Sequence, residues 1–234
     1  MAGCALFLAA SSMAASNGNW NRPAATKEAP PAAAASQEAP PAAARQDAPQ
    51  DLHILRRGEW GAKKPVLAMI PHKPRFITIH HSATAQKTHV SLKAKMRNLQ
   101  AFSQRAARLA SGKMKKAWAD VPYHYYIDWK GDIAEGRDVR FAGDTNTAYD
   151  PRGHILIVLE GNFEKTSPGE QQIRSLERLA AFLAARWKIA PARIRTHRDY
   201  ARTACPGRNL YKRMGDIRQA TARAMQSGAG RPAE

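Results

Sequence analysis

Short apolar runs alternate with longer amphipathic segments along this chain. Phe76 to His81 is a run of Ile and Thr that ends on two histidines, which predicts a buried strand. Apolar side chains recur at helical spacing behind Ser91, which predicts a capped helix to about Ala110 that Gly112 ends. The opposite face of this helix carries basic residues such as Lys95, and the pattern predicts that this charged face is solvated.

The same alternation continues to the C-terminus. Ser167-Pro168-Gly169-Glu170 has the pattern of a capping box with proline in the first turn, ahead of an apolar stripe that runs to about Trp187. Further elements are predicted as strands at Tyr123 to Asp128, Ile133 to Glu135, Ile155 to Leu159 and Arg193 to His197, and as a helix at Asn209 to Met225. This order predicts an α/β fold, in which a mixed central β-sheet is flanked by α-helices in a single domain.

The first 50 residues lack such periodicity. Residues 1–16 resemble a signal segment, because Ala2 to Ala15 is small and apolar, and Ala2-Gly3-Cys4 is similar to the end of a bacterial lipoprotein signal. An ordinary disordered tail is the alternative for this segment. Residues 17–50 repeat Glu-Ala-Pro-Pro-Ala-Ala-Ala, which favours a disordered, extended linker. We therefore expect the domain to occupy residues 51–234.

The formal net charge of +18 arises in the expected domain, because the few basic and acidic residues of the first 50 positions cancel. A basic surface favours polyanions such as anionic envelope polymers, anionic lipid or nucleic acid. No nucleic-acid-binding motif is recognised, so no specific nucleic-acid partner is expected. The two cysteines, Cys4 and Cys205, lie in very different contexts, which argues against a structural disulfide and excludes a small fold stapled by disulfides.

The residues with the most distinctive chemistry are His80 and His81 at the end of the first predicted strand, and His197 and Cys205 near the C-terminus. Imidazole nitrogen and thiolate sulfur bind zinc, and a catalytic zinc site uses three protein ligands and leaves one position for water. Neighbouring strand residues point to opposite faces, so either His80 or His81 can complete the set, and the pattern does not decide which. On spacing alone, a hydrogen-bonded histidine and a small buried cysteine are the commoner case.

Four segments, weak singly but strong in this order, resemble the zinc-dependent N-acetylmuramoyl-L-alanine amidases, which include peptidoglycan recognition proteins and the amidase-type phage lysozymes. They are Arg57 to Ala62, Ile79 to Thr84, Pro122 to Ile127, and His197 followed by Thr203 to Gly207. The similarity extends from about Arg56 to Tyr211. The resemblance implies a zinc enzyme that hydrolyses the amide bond between N-acetylmuramic acid and L-alanine of peptidoglycan.

The resemblance also implies roles for particular residues. The family pattern places the strand ligand on the first histidine, so zinc is expected to be bound by His80, His197 and Cys205. It places Tyr123 beside the metal, where a phenol can donate a hydrogen bond to the reacting oxygen. Thr203 occupies a position that is Thr in several recognition-type amidases and Lys in phage relatives. Both Tyr123 and Thr203 are therefore expected to be catalytic in a supporting sense.

Other positions depart from the family or take secondary roles. Val158 lies where some bacterial members have a glutamate, so Glu160, two residues later on the same face, is the remaining carboxylate candidate, and the general base stays open. Gly143 to Tyr149 resembles the substrate loop of the phage enzymes, although those carry a histidine near Thr145. His81 is expected to be structural, for example as a hydrogen-bond partner behind the ligands.

Peptidoglycan and its muropeptide fragments are the expected partners, with anionic envelope polymers as a second class. The signal-like segment implies an exported protein, either a periplasmic or outer-membrane lipoprotein anchored through lipid on Cys4, or a secreted one. A monomer is expected. The alternative function is a peptidoglycan-binding module without catalysis. Non-catalytic relatives typically lack a metal ligand, whereas this chain has all three, which favours the enzyme.

Overall fold

The computed structural model describes residues 52–108, 112 and 114–227, so the predicted signal-like segment and linker lie outside the described residues. The strands are β1 (Ile54–Leu55), β2 (Phe76–His81), β3 (Ala107–Arg108), β4 (Met114–Lys115), β5 (Tyr125–Ile127), β6 (Ile133–Glu135), β7 (His154–Leu159) and β8 (Ile194–Thr196). The α-helices are α1 (Arg57–Trp60), α2 (Leu92–Ser103), α3 (Glu170–Trp187), α4 (Arg208–Tyr211) and α5 (Met214–Gln226). Short 3-10 turns, Pro191–Arg193 and His197–Asp199, flank β8.

Six strands form one sheet in the order β1-β6-β5-β7-β2-β8, and β3 and β4 form a separate hairpin. Neighbouring strands of the sheet run parallel, except for the antiparallel pair of β5 and β6. The predicted α/β fold with a mixed central sheet flanked by helices is therefore confirmed. Of the helices that the structure describes, none is long and apolar enough to cross a bilayer.

Each face of the sheet buries its own core. On one face, strand residues such as Leu159 pack with α3 and α5, where Ile173 is also buried. On the other face, Val158 packs with α1 and α2, where Met96 is wholly buried. The sheet is therefore covered on both sides, which explains why its strands are nearly continuous apolar runs.

The register of β2 on β7 decides which histidine faces which core. His80 pairs with Val158, and His81 pairs with Leu159. Residues paired in register point to the same face of a sheet, so His80 lies on the α2 face and His81 on the α3 face. The two adjacent histidines thus occupy different environments, as the alternation along a strand predicts.

Helix α2 is shorter than predicted, because it ends at Ser103 rather than near Ala110. The carbonyl oxygen of Ser103 accepts hydrogen bonds from the backbone N–H of Trp118 at 2.9 Å and from Nζ of Lys115 at 2.9 Å. Lys115 also donates to the carbonyl of Arg105 at 2.7 Å. Distant residues therefore take the acceptors that another helical turn would use, and the chain turns into the β3–β4 hairpin instead. The predicted start of α2 behind Ser91 is confirmed, since its hydroxyl accepts from the N–H of Ala94 at 3.3 Å.

Two further helices also differ from prediction. Helix α3 begins at Glu170 with Gly169 as its N-cap, not with Ser167. The side chain of Gln172 accepts from the N–H of Gly169 at 3.1 Å and donates to the carbonyl of Glu160 at 3.0 Å, which ties the helix start to the end of β7. The predicted last helix is divided into α4 and α5.

Candidate metal centre and groove

His80 is the last residue but one of β2, lies at the floor of the candidate site and is only 3% exposed. Its ring centroid lies 4.6 Å from that of His197 and 5.2 Å from that of Tyr123. Burial, reinforced by the neighbouring imidazole of His197, holds the pKa of His80 well below its ordinary value. The ring is therefore neutral at physiological pH, which is the form that can donate a lone pair to a metal.

His197 follows β8 in a short 3-10 turn. The carboxylate of Asp199 accepts from the backbone N–H of Thr196 at 2.7 Å and from its hydroxyl at 2.8 Å, which fixes the turn. Burial lowers the pKa of His197 to about 4, so this imidazole is also neutral. Because β8 pairs with β2 in parallel, the ends of both strands carry their histidines to the same edge of the sheet.

Cys205 lies on the loop that follows His197, and this loop is held against the end of β2. The backbone N–H of Arg198 donates to the carbonyl of Cys205 at 3.0 Å, and the N–H of His81 donates to its sulfur at 3.4 Å. Gly207 allows the close approach of the loop to Phe163, because a Cβ there would lie 2.4 Å from the Phe163 carbonyl carbon. The glycine of the Cys-Pro-Gly sequence is thus needed to seat the thiol.

The structure brings the three predicted ligands together. One ligand atom each from His80, His197 and Cys205 lies within 4.8 Å of the others, and Sγ of Cys205 is 3.7 Å from Nδ1 of His80. Nε2 of His80 is buried without a hydrogen-bond partner among the described residues. Burial raises the pKa of the Cys205 thiol to about 12, so a nearby cation would be needed to stabilise the thiolate. Two neutral imidazoles and a thiol in this arrangement fit zinc.

His81 is not one of the three candidate ligands. It makes a structural hydrogen bond instead, as expected for the neighbour of a ligand residue on a strand. Its Nδ1 accepts a hydrogen bond from the backbone N–H of Phe163 at 3.2 Å, on the α3 face of the sheet. Burial lowers the pKa of His81 to about 4, so the ring is neutral and can accept this bond. The contact anchors the segment after β7 to the strand that carries His80.

Tyr123 and Thr203 lie beside the three ligands and line the same cavity. Burial raises the pKa of Tyr123 above its ordinary value, with the nearby Cys205 thiol as the second cause. The phenol is therefore protonated and can act as a hydrogen-bond donor but not as a base. The hydroxyl of Thr203 accepts from the N–H of Cys205 at 3.2 Å, so one task of Thr203 is to hold the loop that presents the thiol.

Both carboxylate oxygens of Glu160, the remaining candidate for the general base, accept hydrogen bonds. Oε2 accepts from Nζ of Lys95 at 2.8 Å and from the N–H of Trp129 at 3.1 Å, while Oε1 accepts from the N–H of Lys87 at 2.8 Å. Both oxygens of this carboxylate are thus already engaged, by one ammonium group and two backbone N–H groups. Glu160 therefore serves to hold the groove rather than to remove a proton.

The three candidate ligands line a cavity of about 610 Å³. Its walls come from α2 and from loops that follow β2, precede β5 and follow β6, and they include the aromatic side chains of Phe102 and Trp118. Lys115 lies behind this aromatic wall, with Nζ 4.5 Å from the Trp118 ring centroid. The site is thus a groove large enough for an extended ligand rather than a closed metal-binding pocket.

Thr147 makes a contact that sequence reasoning did not find. Its hydroxyl oxygen lies 2.7 Å from Nε2 of His197. The segment from Gly143 to Tyr149 resembles a substrate loop, but nothing in its spacing indicates that it contacts His197, 50 positions away. Only the folding of this loop over the end of β8 creates the contact.

Comparison with known proteins identifies the family. Residues 71–208 match the Amidase_2 family, N-acetylmuramoyl-L-alanine amidase, and this range holds all three candidate ligands. This chain belongs to that family. Peptidoglycan-recognition protein SD of Drosophila simulans is 29% identical to this chain over 169 residues. The match covers 69% of this chain and 83% of the Drosophila protein.

Solved structures share the fold of this amidase-family chain. Peptidoglycan recognition protein-LE, in complex with tracheal cytotoxin, a monomeric diaminopimelic acid-type peptidoglycan, matches with a TM-score of 0.58 at 26% identity. The match covers 70% of this chain and 92% of that one. N-acetylmuramoyl-L-alanine amidase LysC from Clostridium intestinale matches with a TM-score of 0.55 at 23% identity, covering 70% and 95%, which shows a common fold.

Proposed function

We propose that this protein is a zinc-dependent N-acetylmuramoyl-L-alanine amidase that hydrolyses the amide bond between N-acetylmuramic acid and L-alanine of peptidoglycan. The observation that carries the proposal is the set of ligand atoms from His80, His197 and Cys205 within 4.8 Å of one another. The set lies in an open groove, which suits a catalytic metal with a free position better than a structural one. The family membership supports the same reaction.

The roles of the residues follow from their protonation states. His80 and His197 are neutral and Cys205 supplies the anionic ligand, so the three would hold one zinc ion. When bound, zinc would act as a Lewis acid that polarises the scissile carbonyl and lowers the pKa of water. Tyr123 keeps its proton and donates a hydrogen bond to the oxyanion that develops on the carbonyl oxygen. Thr203 holds the Cys205 loop and orients substrate or water with its hydroxyl.

The proposed substrate is a peptidoglycan strand or muropeptide. Support comes from the relative whose structure holds a monomeric peptidoglycan fragment. A cavity of about 610 Å³ with aromatic and polar walls is suited to a sugar–peptide ligand. Tyr123 and the three ligands lie together in this cavity, so the lactyl–alanine amide would be the bond that reaches them.

The test is mass spectrometry of muropeptides after incubation with the purified full chain. Release of the stem peptide with a free L-alanine amino group is expected, with loss of activity in a chelator and recovery on adding zinc. Cys205→Ala should abolish hydrolysis and most zinc binding while retaining the circular dichroism spectrum, because the packed core does not depend on the metal. Muropeptide binding by the wild type without any cleavage, in the presence of zinc, would instead identify a peptidoglycan-binding module.

We also propose that the protein is exported and reaches the cell envelope as a monomer, either secreted or held as a periplasmic or outer-membrane lipoprotein through Cys4. The signal-like residues 1–16 and the linker at 17–50 support this. Metabolic labelling with palmitate distinguishes the lipoprotein from the secreted form, and recovery of the protein only from the cytosol would contradict export. Salt-sensitive co-sedimentation with sacculi would reveal the attraction of the +18 chain to anionic envelope polymers.

A further inference from the structure

A chain of hydroxyl contacts connects the groove to one of the three candidate ligands. Oγ1 of Thr147 lies 2.7 Å from Nε2 of His197. Oγ1 of Thr145 lies 2.8 Å from Oγ1 of Thr147 and accepts from the N–H of Thr147 at 3.1 Å. Both threonines line the groove. The loop that would face substrate is therefore bonded directly to a ligand residue.

The direction of these hydrogen bonds depends on the tautomer of His197. A neutral imidazole has one N–H and one lone pair, and a hydroxyl has one O–H and two lone pairs. If Nε2 of His197 donates to Thr147, the hydroxyl of Thr147 can donate to Thr145, and Nδ1 of His197 keeps its lone pair. In this arrangement the tautomer is the one in which Nδ1, not Nε2, is available to bind a metal.

We propose that Thr147 is a positioning residue that fixes the orientation and tautomer of His197 and thereby strengthens zinc binding at the site. The inference rests on the proposed function, since it concerns the same metal. Outer hydrogen bonds of this kind orient ligating histidines, and their loss typically weakens metal binding by about 10–100-fold. In this protein a hydroxyl fills the place that a carboxylate or a backbone carbonyl more often takes.

The aromatic side chains around His197 pack against its ring but do not fix its tautomer. The rings of His80 and Tyr149 lie at centroid distances of 4.6 Å and 5.2 Å from His197, and they limit its movement by packing. The phenol oxygen of Tyr149 is buried without a hydrogen-bond partner among the described residues, so it does not compete for the His197 ring. Packing alone restrains the plane of an imidazole but does not choose between its tautomers.

The loop that carries Thr147 is anchored at its beginning, near Asp144. Asp144 forms an ion pair with Arg137, whose side chain is 3% exposed. The guanidinium of Arg137 also donates to the carbonyls of Val121 at 2.9 Å and Ala142 at 2.6 Å. The buried arginine therefore ties the beginning of the loop to the segments on either side, and Thr147 is presented from a fixed base. A ligand that displaces the loop would also disturb His197.

The experiment measures zinc affinity of the purified full chain by competition with a chromogenic chelator, in wild type, Thr147→Val and Thr147→Ser. The valine variant keeps the shape of threonine without the hydroxyl, and we expect its zinc affinity to fall about 10–100-fold. The serine variant restores the hydroxyl and should recover most of the lost zinc affinity. Cobalt-substituted protein should show a changed absorption spectrum in the valine variant and a wild-type spectrum in the serine variant.

Thr84→Val is the matched control, since Thr84 also lines the groove but its hydroxyl contacts Ser82 at 2.9 Å instead of a ligand residue. It should keep the wild-type zinc affinity. If Thr147→Val binds zinc as tightly as the wild type, and the wild type hydrolyses muropeptides, the inference about Thr147 is overturned while the proposed function stands. Tighter zinc binding in that variant would also overturn it, because Thr147 would then compete with the metal for Nε2. A wild type that binds no zinc would overturn both the inference and the proposed zinc site.

Discussion

The ammonium group of Lys95 lies 2.8 Å from Oε2 of Glu160, and the two side chains are only 3% and 2% exposed. Asp128 approaches the same ammonium at 3.3 Å. The sequence predicts Lys95 on a solvated helix face, and this prediction is wrong, because the end of β7 and the turn after β5 bring two carboxylates to α2. The buried cluster connects the helix that forms one groove wall to the strand beside β2.

Replacing Lys95 with methionine should destabilise the protein by about 3–5 kcal/mol, because two carboxylates would remain buried without a cation. Urea unfolding followed by circular dichroism measures this change. Lys93→Met, on the exposed side of the same helix, should change the free energy of unfolding by no more than about 0.5 kcal/mol. Adding Glu160→Gln to Lys95→Met should recover part of the loss. A Lys95→Met variant as stable as Lys93→Met would show that the cluster contributes little.

The two adjacent histidines should respond differently to substitution. His80→Ala is expected to abolish zinc binding, whereas His81→Ala should retain zinc and lose about 1–3 kcal/mol of stability, because the N–H of Phe163 loses its buried acceptor. Metal content by mass spectrometry and urea unfolding separate the two effects. Loss of zinc in His81→Ala, with zinc retained in His80→Ala, would reverse the assignment of the ligand.

Tyr123→Phe should keep zinc but lower kcat by about 10²–10³, the usual effect of removing one hydrogen-bond donor to an oxyanion. The ring would still pack against His80, since the phenylalanine retains the same ring. Single-turnover cleavage of a purified muropeptide gives the rate, and chelator competition gives the zinc affinity. An unchanged rate would mean that the phenol takes no part in the reaction.

His124 should make stability depend on pH below neutrality. Burial lowers its pKa from 6.5 to about 3, and the neutral ring is held by the N–H of Leu156 at 2.8 Å and the carbonyl of Phe141 at 2.9 Å. The unfolded state takes up a proton at higher pH than the folded state does. The stabilisation is therefore complete above about pH 6.5 and is lost as pH falls toward 3, by about 1.4 kcal/mol per pH unit from this residue.

The variant His124→Asn isolates this contribution from those of the other buried histidines. At pH 7.5 it should be less stable than wild type by about 1–3 kcal/mol, because the carbonyl of Phe141 loses its donor. The difference should shrink as pH falls from 6.5 to 5, since asparagine does not titrate. Urea unfolding of both proteins at several pH values measures the gap. A gap that stays constant or widens toward low pH would show that His124 is not the source of the pH dependence.

The sequence by itself determined the chemistry available and the elements that carry it. The run from Phe76 to His81 predicts β2 at its observed bounds, because six residues rich in Ile and Thr are too few for a helix but enough for a buried strand. Ser91 predicts the start of α2 through its own hydroxyl, a local interaction that needs no partner from elsewhere. The resemblance to a family supplied Tyr123, Thr203 and the three ligands as candidates, since motif residues can be read without knowing distances.

Only the tertiary structure decided where those residues point and what they touch. Strand alternation separates His80 from His81, but the register of β2 on β7 and the packing of α2 and α3 determine which face is the groove. Helix α2 ends early because Lys115 and Trp118 take the carbonyl of Ser103, and neither contact is encoded near the helix. The same holds for Thr147 and His197. Contacts between residues distant in sequence depend on how loops close over the sheet, and no local pattern records that geometry.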